Sequence, residues 1–179
     1  MTNHKVESSW QDSVSDWMIS IIVAVVLAFC IRTFIVEPYL VSGTSMVPTL
    51  QNRERLLVNK FIYYFEEPKK GEIIVFKYPS DTTRDFIKRV IANGGDTIEI
   101  IDGKVFVNGA QINEPYIKEP FHTNYRKVVV PQGHIFAMGD NRNNSEDSRF
   151  SDVGFVSDNL IKGKASVIFW PFANFRSLP

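Results

Sequence analysis

Side chains suited to nucleophilic chemistry fall in three short stretches of the 179-residue chain. The first is SGTSMVPTL at 42–50. Gly43 permits close approach of another backbone and Pro48 pushes Val47 toward an extended conformation, so Ser45 is expected at an exposed, rigid bend. An ordinary polar turn has the same composition. A serine nucleophile needs a base, and neither a G-x-S-x-G elbow nor a Ser-His-Asp order is present. The base is sought instead in FIKRVIA at 86–92. Strand alternation sends Lys88 to one face with Phe86 and Val90, and Arg89 to the other with Ile87 and Ile91. Both faces are apolar, and burial would lower the Lys88 pKa toward neutrality and make its amine a general base. Arg89 cannot serve, because a guanidinium keeps its proton. The competing reading of Lys88 is a solvated lysine that guards a sheet edge.

The third stretch, MGDNRNNSEDSRF at 138–150, is too densely polar for a core strand. A calcium loop is its obvious rival, but Arg142 stands at the third position after Asp140 and Ser145 where the sixth-position glycine belongs. Asp147 and Arg149 are two residues apart, so an extended segment would place them on one side as an ion pair. That pair would stiffen the base of Ser145, whose hydroxyl could aim a buried amine. Taken alone, such a run is more often a solvated loop.

The elements that must hold these groups follow from hydrophobic patterning. Residues 17–35, WMISIIVAVVLAFCIRTFI, contain one charge, Arg32, near the end. About 20 apolar residues cross a hydrocarbon core as a helix, and an arginine near a helix end reaches the headgroups. A buried core helix and a cleavable signal peptide are the alternatives. The latter is disfavoured by an acidic start and by an exit, IVEPY, without small residues. The chain therefore reads as a tail at 1–16, a membrane anchor at 17–36 and a domain at 37–179. The charge count does not set its orientation. Cys30 lies inside the span.

Residues 37–179 are mainly β: short β-branched and aromatic runs are punctuated by Gly, Pro, Asn and Asp. Strands are expected at 55–61, 72–78, 86–92, 97–101, 104–108, 126–130, 134–138 and 164–170. Asp102-Gly103 should close a type I′ hairpin. The stretches 63–70 and 113–124 read as connections, the second as a flexible excursion. Twenty Lys and Arg balance twenty Asp and Glu, which disfavours nucleic acid as a partner. One cysteine excludes an internal disulfide framework and a Cys-rich zinc site. The three histidines, His4, His122 and His134, disfavour chemistry that needs several imidazoles.

Four blocks in order, SGTSMVPTL at 42–50, KGEIIVF at 70–76, IKRVIANGGD at 87–96 and GDNRNNSEDSR at 139–149, together with the anchor, resemble the bacterial type I signal peptidases, membrane-anchored Ser-Lys proteases. The resemblance implies Ser45 as nucleophile, Lys88 as general base, Ser145 as the residue that orients the lysine, and Asp147 with Arg149 as a supporting ion pair. It further implies a β-rich catalytic domain outside the cytoplasmic membrane, no metal or other cofactor, and secretory preproteins with small residues before the cut as substrates. Tyr39, Val41, Met46, Phe86 and Ile87 are then the candidate walls of shallow apolar pockets fed by an extended peptide on a strand edge. Two departures stand out. Gly43 occupies a place where some relatives carry a serine that helps to bind the oxyanion. Asn93-Gly94 precedes Gly95-Asp96 where Leu-Pro is common, and a looser turn is expected. A self-cleaving repressor-type Ser-Lys protease would lack the anchor. A non-catalytic, membrane-tethered β-module that binds extended peptides is the alternative outside enzymes.

Overall fold

The computed structural model describes the backbone of residues 5–179 and the side chains from residue 14 onward. It falls into two compact units, the first ending at Val36 and the second spanning Glu37–Pro179.

The first unit is one helix, α1 (Lys5–Cys30), whose winding widens over Ile31–Ile35. Its segment Val14–Ile35, 22 residues, is long and apolar enough to cross a membrane. Ile22, Val25 and Phe29 stay exposed along it, as does Cys30. The helix starts at Lys5, well before Trp17. Residues 5–16 contain neither Gly nor Pro, so nothing in them stops a helix from running on past the apolar segment.

In the second unit the strands are β1 (Val36–Leu40), β2 (Arg55–Asn59), β3 (Ile73–Tyr78), β4 (Asp81–Asn93), β5 (Thr97–Ile101), β6 (Lys104–Val107), β7 (Ala110–Gln111), β8 (Tyr125–Val129), β9 (His134–Met138), β10 (Val156–Ser157), β11 (Ile161–Trp170) and β12 (Arg176–Ser177). The larger sheet runs β1-β2-β11-β3-β4-β9-β10, with β12 also on β11; the smaller runs β7-β6-β5-β8. Antiparallel pairing suits strands joined by short turns. Between β5 and β6, Asp102 and Gly103 both have positive φ, 52° and 75°, as a type I′ turn demands.

Three apolar clusters hold the unit together. β4 takes part in all of them, because successive side chains point to opposite faces and the register against β9 shifts between Val90 and Ala92. Ile87 packs with Met46, Val58 and Val75; Val90 with Ile74 and Phe76; Ile91 with Phe136 and Met138. The strand that carries Lys88 is thus clamped on both faces.

Three expectations need correction. β2 ends at Asn59, whose side chain accepts the Phe61 and Ile62 N–H groups and starts a 3-10 turn, Phe61–Tyr64. Residues 113–124 form no loose excursion: Phe121 is buried, Glu114 pairs with Arg142, and the Lys118 N–H donates to the Asp140 carbonyl. Residues 93–96 make a tight turn in which the Asp96 N–H donates to the Asn93 carbonyl and the Asp96 carboxylate accepts from the Asn93 N–H, both at 2.9 Å. Gly95 at φ +89° supplies the conformation that this turn needs.

Candidate active site

The wall bearing Ser45 is residues 41–50, between β1 and β2. Val41 ties its start to the far end: the Val41 N–H donates to the Glu54 carbonyl at 2.8 Å and the Arg53 N–H to the Val41 carbonyl at 2.9 Å. Gly43 adopts φ +103° with no heavy atom within 4 Å of an added Cβ. Its role is the left-handed backbone itself, not the close approach expected from the sequence. The Gly43 N–H reaches Asn52 Oδ1 at 3.0 Å. The Val47–Pro48 peptide is cis. Ser45 is half-buried, because the loop at 139–145 covers it from one side.

Lys88 comes from β4 and is 4% exposed. Its Nζ lies 2.9 Å from Ser45 Oγ and 4.8 Å from the centre of the Phe86 ring. No carboxylate forms an ion pair with it among the described residues. Burial pushes the amine down to about 8; the more distant charges of Asp147 and Glu146 oppose that shift. The reading of Lys88 as a solvated guard on a sheet edge fails because the side chain is buried, although β9 pairs with β4 only from Arg89 onward. A lysine so placed can be neutral near physiological pH and take a proton from the hydroxyl it touches.

Arg89, the next residue, faces the opposite environment. Its guanidinium forks onto Asp140 at 2.9 and 2.7 Å, donates to the Gly71 carbonyl at 2.7 Å and lies 3.9 Å over the Tyr116 ring. Thr49 Oγ1 donates to the same Asp140 carboxylate at 2.5 Å. Asp140, Thr49 and Tyr116 escaped the sequence reading, although an arginine on an apolar strand face already demands a buried carboxylate.

Residues 139–149 close the third side. Asp147 and Arg149 pair at 2.8 and 2.9 Å, and Asp147 also accepts the Gly139 N–H at 3.0 Å. They meet through a turn, with the Phe150 N–H on the Asp147 carbonyl, rather than along the extended segment expected. Arg149 further donates to the Arg142 carbonyl at 2.7 Å. A Cβ on Gly139 would collide with the Ser45 carbonyl and Ser145 Oγ, so only glycine lets this loop lie against the Ser45 backbone. Ser145 Oγ is buried beside them without a hydrogen-bond partner among the described residues, and so does not bond the lysine amine as expected. Its place at the site is kept; its aiming contact is not made in this conformation.

From the Ser45–Lys88 contact a groove of about 580 Å³ opens between residues 39–46 and 84–88. All five expected wall residues, Tyr39, Val41, Met46, Phe86 and Ile87, line it. Arg84 and Glu146 also line it and were not foreseen. Among the described residues, no group of His, Cys, Asp and Glu is arranged to hold a metal ion.

The model of the family described as "Signal peptidase, peptidase S26" matches residues 14–170. The chain belongs to the signal peptidase I family. It is similar to signal peptidase I P of Bacillus subtilis subsp. natto, 39% identical over 95% of this chain and 96% of the relative. It is also similar to a probable signal peptidase I-1 of Synechocystis sp., 40% identical over 99% of this chain and 93% of the relative. Among solved structures, a signal peptidase I from Enterococcus faecalis V583 superposes with a TM-score of 0.51 and 28% identity, covering 56% of this chain and 98% of that one. As a signal peptidase I family member the protein is a serine endopeptidase with a β-rich domain and an N-terminal apolar helix.

Proposed function

We propose that this protein removes signal peptides from secretory preproteins with Ser45 as nucleophile and Lys88 as general base. The observation that carries the reading is the 2.9 Å contact between the Ser45 hydroxyl and a buried amine with no counter-ion. As Ser45 Oγ bonds to the scissile carbonyl carbon, its proton passes to neutral Lys88 Nζ and the C=O electron pair moves onto the oxygen. Collapse of this intermediate breaks the C–N bond, and Lys88 returns the proton to the departing amine. Water then enters by the same route, its proton going to Lys88, and frees the acid and Ser45. The Ser45 N–H makes no hydrogen bond among the described residues and is free to receive the oxyanion.

Substrates are preproteins with small residues just before the cut, as in the family to which the chain belongs, and the groove beside the dyad, walled by Val41, Met46 and Ile87, offers an apolar surface for them. The helix at 14–35 serves as a single lipid anchor, with residues 37–179 on the extracytoplasmic side, where a signal peptide's cleavage region emerges. Asp147 and Arg149 hold the loop that backs the site, and Ser145 is buried within that loop beside Gly139.

The test is incubation of the detergent-solubilised protein with a signal-peptide-bearing preprotein, beside its Ser45→Ala form. Cleavage after a small residue by the wild type alone is expected. An uncut but bound preprotein in both cases would overturn the reading in favour of a peptide-binding β-module.

A further inference from the structure

The peptide joining Thr44 to Ser45 is the one whose N–H must meet the oxyanion. It is trans, so its C=O and N–H leave opposite edges of one plane. Whatever grips the carbonyl therefore aims the amide. Asn141 Nδ2 donates to the Thr44 carbonyl at 3.0 Å, which also accepts the Val47 N–H at 3.2 Å. The Asn141 backbone N–H donates to the next carbonyl, that of Ser45, at 2.9 Å. One residue, 3% exposed, thus holds both carbonyls that flank the Ser45 Cα and amide. Asn144 adds a bond from Nδ2 to Thr44 Oγ1 at 2.9 Å, and its N–H donates to the Asn141 carbonyl at 2.9 Å. The acceptor half of the Asn141 amide, Oδ1, is buried without a partner among the described residues. An unpaired buried acceptor is costly, and it persists here while the donor half stays on Thr44.

We propose that Asn141 is a positioning residue for the oxyanion donor: its side-chain amide fixes and polarises the 44–45 peptide, so that the Ser45 N–H points at the developing charge. Hydrogen bonds in series strengthen one another, so a donor on the carbonyl makes the N–H of the same peptide a better donor. Gly43 brings no hydroxyl to this place, which leaves the orientation of that amide to matter more. The inference rests on Ser45 being the nucleophile.

Asn141→Asp keeps the size and replaces the donor by an acceptor; Asn141→Ala removes both. For each, kcat and KM on a peptide substrate are measured with the Ki of a peptide aldehyde of the same sequence. The Ser45 O–H adds across the aldehyde C=O to give a hemiacetal whose oxygen takes the oxyanion's place. Both variants should lose roughly tenfold or more in kcat, less than outright deletion of an oxyanion donor. The Ki should weaken by a similar factor while KM stays near wild type, and in Asn141→Ala, which adds no charge beside Lys88, the acidic limb of the pH profile should stay put. KM and Ki do not depend on how much of a variant preparation is folded, so a misfolding fraction does not mask the result. An unchanged Ki/KM ratio in both variants overturns the inference alone. A wild type that cleaves but resists the aldehyde overturns the Ser45 assignment and this inference with it.

Discussion

Lys88 and Arg89 are neighbours on one strand, both almost wholly buried, and their surroundings make opposite things of them. Arg89 meets a carboxylate at 2.7 Å, a carbonyl and an aromatic face. Lys88 meets a hydroxyl at 2.9 Å and the Phe86 ring, 4.8 Å to its centre, and its nearest carboxylates act only from a distance. A buried cation with its counter-ion is a fixed charge that ties elements together. A buried cation without one is destabilised as a cation, and that instability is what lets it accept a proton when needed. Strand alternation alone separates the two fates.

The largest effect that tests this contrast is on turnover. Lys88→Ala and Lys88→Arg should each cost on the order of 10³-fold or more in cleavage, as should Ser45→Ala. Arginine keeps the charge and removes the base. Substantial activity in purified Lys88→Arg would break the comparison.

Next comes stability, where the two positions should differ in sign. Asp140→Ala leaves the Arg89 charge buried and unpaired, with a cost of about 3–5 kcal/mol, read as a lower Tm. Lys88→Met, by contrast, should raise Tm at pH 7, since it removes a buried ammonium without a counter-ion. The folded-state value of about 8 lies below the unfolded lysine. Between the two, the unfolded chain holds the extra proton, so wild-type stability should rise as pH climbs through that window. A fall in Tm for Lys88→Met as deep as for Asp140→Ala would refute the contrast.

A finer measure is the pH profile of cleavage. Activity should rise with unit slope through about 8 and remain high in alkali. Asp147 holds the amine up, so Asp147→Asn should move that limb to lower pH. An upward shift would show that the charge acts otherwise. The smallest expected effect is from His122→Ala with His134→Ala, which should leave kcat/KM within about twofold of wild type, as surface changes do. His122 is exposed, and His134 Nδ1 is engaged with the Gln132 carbonyl at 3.0 Å. A deep loss would put a histidine back in the mechanism.

The legible parts of the molecule were those fixed by local chemistry. Asp102-Gly103 announces its hairpin because the turn needs positive φ, and 86–92 announces which cation faces which way because a strand has period two. What sequence could not show were partners brought from afar. Asp140 lies 51 residues from Arg89, and Asn141 lies 97 from Thr44. Residues 113–124 read as loose because their polar side chains give no hint that Glu114 finds Arg142 or that Phe121 is buried. The Ser145 hydroxyl was read as aiming the amine, yet its neighbours are the Gly139 and Ser45 backbones. Strands β7, β10 and β12 were missed because two residues carry no period, and β1 because Val36–Leu40 follows directly on the apolar span and contains Pro38.

One feature of the larger sheet bears on timing. β11, near the end of the chain, lies between β2 and β3 and pairs with both. The strand leading from the Ser45 loop and the strand beside Lys88 are therefore joined, within the sheet, only through a segment that is synthesised after both. Without Ile161–Trp170 the sheet would leave the Ser45 loop and Lys88 on separate pieces. The Ser45 loop and Lys88 are therefore joined within the sheet only once that strand is in place.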